Sequence, residues 1–310
     1  MPLDLSIPRH RSNIRPDYFQ APGPSKGPPP IFILRQSLSH LDRAPMSLPA
    51  THPKVDAKAG KTCPVTGRSH EYQPPAEGDI RSVCPAINTM ANHGYIRRDG
   101  KKISPLAMYR GLKACYGLST PLAMFLTVGG WFLIRRIARI TLLELGLHNA
   151  VEHDASVVHV DCPEGQKYAP IKIQPDLVEE FATHVMKAAS EGAGRRLSES
   201  DVVVTDDDIV RARIRREKVC RPLDSMHAEI ARGEMAIILG VWNKTVDGKK
   251  GAPLQWMRTW LANERLPEGW HPDHVETLRS VIKRATALRT EMKKMQDEES
   301  QAAAAKAPKP

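Results

Sequence analysis

One long apolar run restricts the fold more than any other feature of the sequence. It begins at Leu118, ends at Ile134 and is followed by the pair Arg135-Arg136. Its length is about the minimum that a helix needs to cross a bilayer. Pro121 and the pair Gly129-Gly130 lie within it. We expect a helix buried in a protein core, and the alternative is a helix that lies in a membrane interface.

Most of the remaining sequence has helical periodicity and helix-start signals. Ser104 precedes Pro105, and Thr205 precedes three aspartates, as is typical of helix N-caps and first turns. The arginines between Arg211 and Arg216 complement the dipole of the helix after Thr205, and we expect them on a solvated face. The predicted helices are 85–91, one from 105, 118–134, 137–147, 175–187, one after 205, 225–242, one within 256–270, and 275–299. Strand propensity is concentrated at 157–158 and 202–204, so the predicted fold class is all-α.

Composition divides the chain into four segments. Residues 1–60 are rich in proline, serine and charge, which predicts a disordered extension. Residues 61–270 form the predicted helical domain, residues 271–299 a long C-terminal helix, and residues 300–310 a low-complexity tail. The first nine residues contain Asp4 and two prolines without an apolar stretch, which predicts a cytoplasmic or membrane-associated intracellular protein.

Charge and cysteine content argue against several classes of protein. The net charge is +10, but the basic residues are scattered and aromatic residues make up only 5%, so we expect a basic surface and no nucleic-acid partner. The number of cysteines is odd and no C-x-x-C occurs, which argues against a disulfide framework and a structural zinc site. The five cysteines are Cys63, Cys84, Cys115, Cys162 and Cys220.

Glu234 has an unusual place in the predicted helix 225–242. At 100° per residue it shares a face with four apolar residues. These are Met226, Ile230, Ile237 and Val241. Burial there would raise the pKa of the carboxyl group, which suits a general acid/base. The alternative is that Glu234 reaches solvent or pairs with an arginine.

Cys84 precedes Pro85, a residue that pre-sets the first turn of a helix. The N–H groups and partial positive charge at a helix N-terminus favour a thiolate, which can be a nucleophile or a metal ligand. The alternative is a small buried apolar residue. Cys63 and Cys162 also precede proline, so spacing alone does not distinguish Cys84.

Three segments follow one another in a fixed order: CPAINTMANHGY at 84–95, EHDAS at 152–156, and Gly233-Glu234. Together they resemble the fungal haem-thiolate peroxidases, the chloroperoxidase and unspecific peroxygenase family, in its short form. The resemblance covers roughly residues 61–270. It implies a single helical haem-binding domain.

The resemblance also implies cofactors and their ligands. Cys84 would be the proximal thiolate on the iron of haem b, within a cofactor-binding segment that includes Pro85, Ala86 and Asn88. Glu152 would bind magnesium through its carboxylate, together with the His153 main-chain carbonyl, the Ser156 hydroxyl and a haem propionate. We expect Glu152 and Ser156 on one helical turn, where residues four apart converge. Their alternative role is helix capping.

Catalytic roles are implied in the same way. Glu234 would take a proton from hydrogen peroxide and return it to the leaving oxygen, with His153 as its charge-stabilising partner. Glu229 is the substitute if Glu234 is exposed. Side chains that would shape the substrate pocket are Val151, Ile230 and Ile237.

The implied function is a peroxidase or peroxygenase. It would use hydrogen peroxide to oxidise or oxygenate a small apolar or aromatic organic substrate, with halide oxidation as a side activity. The alternative function is a non-catalytic helical protein that binds a membrane or a partner through residues 118–134.

Overall fold

The computed structural model describes residue 67 and residues 69–268 and 270–306. The predicted extension 1–60 lies outside these residues, as does Cys63. The described chain is mostly helical, which confirms the all-α class. Its helices are α1 (Pro85–Asn92), α2 (Pro105–Tyr116), α3 (Thr120–Leu133), α4 (Pro175–Ala193), α5 (Asp206–Val219), α6 (Ser225–Val241), α7 (Leu254–Asn263) and α8 (Leu278–Lys306).

The predicted helix starts are confirmed by their hydrogen bonds. The Ser104 hydroxyl accepts from the Ala107 N–H group at 3.2 Å, at the start of α2. At the start of α5, the Thr205 side chain accepts from the Asp208 N–H group, and the Asp208 carboxylate accepts from the Thr205 N–H group. These bonds satisfy donors that a helix N-terminus leaves unpaired.

The helix predicted for residues 137–147 is wrong. The chain turns after α3, where Arg135 has a φ of 54°, and only Leu142–Gly146 forms a short 3-10 helix. The Trp131 indole N–H group donates to the Ala138 carbonyl at 2.8 Å, which fixes this turn. Ile137, the first residue of this predicted helix, is 99% exposed.

Helix α3 is buried along one side only. Leu122, Ala123 and Trp131 face the core, whereas Phe125 and Phe132 face solvent. The prediction of a helix buried in the core is therefore correct for one side of α3 and wrong for the other. Among the described residues, none of the helices combines the length and apolar character needed to cross a membrane.

A three-stranded antiparallel sheet accompanies the helices, in the order β1-β3-β2. It consists of β1 (Val203–Val204), β2 (Lys244–Val246) and β3 (Lys249–Pro253). Strands β2 and β3 form a hairpin whose turn residues, Asp247 and Gly248, both have positive φ. This hairpin connects α6 to α7, whereas β1 precedes α5.

Helix α8 packs along α6 and completes the core on that side. Its buried side chains include Val281, Leu288 and Met292. It begins three residues later than predicted and continues to Lys306, into the segment predicted as a tail. Helix α8 therefore supports the helix that bears Glu234.

Candidate active site

Cys84 lies at the N-terminal end of α1, as the sequence predicted. Its backbone is extended and Pro85 is the first helical residue. Burial raises the pKa of the thiol to about 11, the charge of Glu234 adds to this, and hydrogen bonding from the Ile87 and Ala86 backbone acts in the opposite direction. The Tyr116 hydroxyl donates to the Ala86 carbonyl at 2.8 Å, which fixes the first turn of the helix.

Asn88 is buried and its amide is bonded within the protein. Its side-chain oxygen accepts from the Ser82 N–H group at 2.8 Å, and its NH₂ group donates to the Ser82 carbonyl at 2.7 Å and to the Glu264 carboxylate at 2.6 Å. These bonds fix the backbone two residues before Cys84. Asn88, predicted within the cofactor-binding segment, therefore positions the cysteine.

The rest of the 84–95 segment also forms a buried polar network, which sequence reasoning did not anticipate. The Asn92 side-chain oxygen accepts two hydrogen bonds from the Arg81 guanidinium, at 2.8 and 3.0 Å. His93 Nε2 accepts from the Leu266 N–H group at 3.0 Å, and its Nδ1 bonds to the His70 carbonyl at 2.6 Å. These partners show that much of the recognised motif is structural.

Glu234 and His153 come together although they are distant in sequence. The Glu234 Oε2 atom lies 3.5 Å from His153 Nε2, and His153 Nδ1 bonds to the Asp154 carbonyl at 2.7 Å. Burial alone would lower the pKa of His153, but its hydrogen bond and charge interaction with Glu234 raise it above the usual value. The contact with Glu234 therefore favours the protonated form of His153.

The buried side of α6 is not the apolar stripe that the sequence predicted. The buried face of the helix contains His227, Ala231, Met235 and Leu239, while the Glu234 side chain is 42% exposed. The expectation of a buried Glu234 carboxylate is wrong. Helical periodicity identified the helix, but α8 packs against it and determines which side is buried.

Glu229, the substitute for Glu234, has different partners. Its carboxylate bonds to Arg232 and Arg289, each at 2.5 Å. Burial alone would raise the pKa of Glu229, but the two arginines outweigh it and lower the pKa. An arginine-paired carboxylate is a poor proton acceptor, so the geometry favours Glu234 despite its exposure.

Glu152 lies in an irregular loop, and the helical turn expected at 152–156 is wrong. Its side chain is 7% exposed and bonds to His148 Nδ1 at 2.7 Å. Burial raises the pKa of Glu152, although the His148 bond opposes the shift. Ligand atoms of His148, Glu152 and Asp154 all lie within 4.8 Å of one another, so the structure adds two residues that could contact a cation.

Ser156 and Asp154 are already engaged within the protein. The Ser156 hydroxyl oxygen accepts from the Val158 and His159 N–H groups at 3.2 and 3.1 Å. The Asp154 carboxylate accepts two bonds from the Arg221 guanidinium, at 2.7 and 3.0 Å. Both contacts compete with binding of a metal ion by these side chains.

Helix α5 positions the loop that bears His153. Arg213 is buried and donates to the Ala155 carbonyl at 2.7 Å, and Arg216 donates to the Ser156 carbonyl at 2.7 Å. The prediction that all these arginines lie on a solvated face is therefore wrong for Arg213. Charge patterning alone does not distinguish an exposed arginine from one that bonds a distant carbonyl.

The three predicted pocket residues, Val151, Ile230 and Ile237, are partly buried. Val151 and Ile237 pack against the core. A separate cavity of about 560 Å³ borders Tyr72 and Trp256, and its lining includes none of the predicted site residues.

The site thus combines a thiol at a helix N-terminus with an acid–histidine pair on a helical scaffold. The chain belongs to the family described as Peroxidase, family 2, whose profile matches residues 70–275. Membership of this family implies a haem-thiolate cofactor and oxidoreductase chemistry.

Individual relatives agree with this family assignment. The chain is 23% identical to the chloroperoxidase of Leptoxyphium fumago over 239 residues, which cover 67% of this chain and 59% of that protein. It is 42% identical to the dothistromin biosynthesis peroxidase dotB of Dothistroma septosporum over 65 residues, 21% of this chain and 16% of that protein. It is 33% identical to an aromatic peroxygenase of Cyclocybe aegerita over 63 residues, 20% and 17% of the two chains. The alignments thus span less than two thirds of each of these relatives.

Proposed function

We propose that this protein binds haem b through Cys84 and uses hydrogen peroxide to oxidise or oxygenate a small organic substrate. The main support is the placement of Glu234. Its carboxylate lies 3.5 Å from His153 and close enough to Cys84 for its charge to raise the pKa of the thiol. An acid–histidine pair therefore shares one region with the candidate iron ligand.

The residues around Cys84 fit a haem-thiolate ligand. The cysteine precedes a helix N-terminus, and hydrogen bonding from the Ala86 and Ile87 backbone favours the thiolate. A coordinated metal ion deprotonates a thiol outright, so a pKa of about 11 does not prevent ligation. When bound, the thiolate-ligated haem supplies an electron-rich iron that favours O–O cleavage.

Glu234 and His153 would manage the protons of this reaction. Because His153 Nδ1 bonds to the Asp154 carbonyl, its Nε2 atom faces the Glu234 carboxylate. Glu234 would accept a proton from the peroxide and donate it to the departing oxygen. Its partial exposure leaves room for peroxide, while a protonated His153 would stabilise the ionised carboxylate.

A magnesium ion is a separate part of the proposal, supported by the buried Glu152 carboxylate. Magnesium prefers oxygen ligands, and Glu152 offers one without an arginine partner among the described residues. The contacts of Asp154 and Ser156 limit what these side chains add. Elemental analysis of the wild-type protein and Glu152→Gln tests this part: equal magnesium content in the two proteins would contradict it.

The substrate class rests on two observations. Val151, Ile230 and Ile237 are apolar and only partly buried. The relatives from Cyclocybe aegerita and Leptoxyphium fumago are named aromatic peroxygenase and chloroperoxidase. A small apolar or aromatic organic substrate fits best, with halide oxidation as a side activity.

The absorption spectrum of protein expressed with ample haem tests the proposal. We expect a strongly red-shifted Soret band in the reduced carbon monoxide complex, which Cys84→Ala abolishes. Cys162→Ala is the matched control, since Cys162 also precedes proline, and it should leave the band unchanged. Colourless wild-type protein would refute the proposal and favour a non-catalytic helical protein.

A further inference from the structure

The solvent side of α3 is an apolar face without a charged residue. Met124, Phe125, Val128 and Phe132 are exposed, with Phe132 at 78%. Their spacing places them along one stripe of the helix. Contiguous exposed apolar residues of this kind are typical of interaction sites.

The turn after α3 presents one more apolar side chain. Ile137 is 99% exposed, yet the backbone around it is ordered by hydrogen bonds. The Trp131 indole donates to the Ala138 carbonyl at 2.8 Å, and Ile103 and Ile140 exchange two backbone bonds at 2.8 and 3.0 Å. Ile137 is therefore positioned in advance, which lowers the entropic cost of binding.

Three exposed arginines surround Ile137. Arg136 forms an ion pair with Glu144 at 3.0 Å. Within the described part of the chain, Arg135 and Arg139 form no ion pair. The apolar face thus ends at two cations that pair with no carboxylate of residues 69–268 or 270–306.

We propose that this surface, defined as the α3 face (Met124, Phe125, Val128, Phe132, Ile137, Arg135 and Arg139), binds the surface of a bilayer that contains anionic phospholipids. The apolar side chains would enter the boundary between headgroups and acyl chains, and the arginines would contact lipid phosphates. The net charge of +10 adds a longer-range attraction. This inference does not depend on haem or on Glu234.

Charge complementarity favours an anionic membrane over two other occupants. A second copy of the chain in a two-fold contact would present the same α3 face, which contains two arginines and no acidic residue to pair with them. The apolar segment Ile31-Phe32-Ile33-Leu34 is followed by Arg35, so it would add another cation beside Arg135 and Arg139. A bilayer with anionic lipids has apolar acyl chains beneath negatively charged headgroups. It therefore complements both the apolar side chains and the arginines of the α3 face.

Sedimentation of the full chain with phospholipid vesicles tests the proposal. We expect binding to vesicles of phosphatidylcholine with phosphatidylserine and much weaker binding to phosphatidylcholine alone. Arg135→Gln/Arg139→Gln should lower the partition coefficient roughly 30-fold. Phe132→Ser and Ile137→Ser should each lower it about tenfold or more.

The control variants make the same kinds of change, in net charge and in exposed apolar area, at positions outside the α3 face. Arg195→Gln/Arg196→Gln changes the net charge equally at two exposed arginines elsewhere, and Val219→Ser removes a side chain that is 72% exposed. Both should bind vesicles much as the wild type does. All substituted residues are exposed, and circular dichroism should show unchanged folding.

Several results would overturn the proposal. They are absence of vesicle binding, equal losses in the control variants, and unchanged binding by Phe132→Ser and Ile137→Ser. A wild-type dimer that Phe132→Ser dissociates would show that a second copy covers the face. Vesicle binding that appears only in Phe32→Ser would assign the face to the N-terminal segment.

Discussion

Glu234 and Glu229 lie on the same helix, and both side chains are 42% exposed. Their chemistry differs because of their partners. Glu234 faces a buried histidine, whereas Glu229 contacts two arginines. Exposure alone would not distinguish these carboxylates. His153 and Arg289 come from other elements, whereas Arg232 lies on the same helix.

Glu234→Gln should retain haem and lose peroxide activation by roughly 100- to 10,000-fold, because the amide cannot accept the proton. Glu229→Gln on the same helix is the matched control and should keep near-normal turnover. Steady-state turnover with hydrogen peroxide, normalised to haem content, measures both. Near-normal turnover of Glu234→Gln would remove this residue from the mechanism.

His93 should make stability depend on pH. Burial lowers its pKa from 6.5 to about 4, so the unfolded chain binds a proton between these values that the folded chain does not. The free energy of unfolding should therefore fall as pH decreases from 6.5 to 4, by on the order of 2 kcal/mol. Denaturant unfolding of the wild type and His93→Gln checks this. The difference between their free energies of unfolding should become smaller toward pH 4. A constant difference would contradict it.

At the scale of elements, α5 and the loop that bears His153 act together. The arginines of α5 bond to the carbonyl groups of Ala155 and Ser156, so the loop follows the helix although it has no regular structure. Arg213 also bonds to Glu217 at 2.8 Å on its own helix. The position of His153 therefore depends on a helix more than fifty residues away.

Arg213→Lys should destabilise the protein by about 2–4 kcal/mol. The guanidinium reaches the Ala155 carbonyl and the Glu217 carboxylate through two different nitrogens, and the single ammonium nitrogen of lysine does not reproduce this fork. Arg211→Lys, an exposed position on the same helix, should change the free energy of unfolding by less than about 0.5 kcal/mol. Denaturant unfolding measures both, and equal effects would show that the Ala155 contact is unimportant.

At the scale of the whole molecule, the family match ends at residue 275 but the packing does not. Helix α8 lies along α6, where Arg284 donates to the Ala236 carbonyl at 2.8 Å and pairs with the buried Glu276 at 3.2 Å. Gly240 on α6 leaves room for this pair. The helix that bears Glu234 therefore requires a partner outside the matched region.

Gly240→Ala should destabilise the protein by about 1–3 kcal/mol, because its methyl group would lie 2.5 Å from Glu276 Oε2 and 2.6 Å from Arg284 Nη1. Gly233→Ala on the same helix meets no atom within 4 Å and should stabilise by about 0.5–1 kcal/mol. Thermal unfolding compares the two variants. A change in melting temperature of the same sign in both would refute the packing argument.

The sequence by itself determined the features that depend on nearby residues. Pro85 placed the start of α1, and Ser104 placed the start of α2, because a cap of this kind joins residues only three apart. Asp247-Gly248 is a typical hairpin-turn pair, so β2 and β3 could also have been predicted. The ordered motifs at Cys84, Glu152 and Glu234 identified the family, while the roles of these residues stay predictions.

Only the tertiary structure decided which side chains are buried and which meet. Periodicity predicted a buried Glu234, but the position of α8 turns another face of α6 toward the core. The contacts between Glu234 and His153 and between Arg213 and Ala155 join residues far apart in sequence. Burial and pairing depend on the elements that pack together, and no local pattern contains that information.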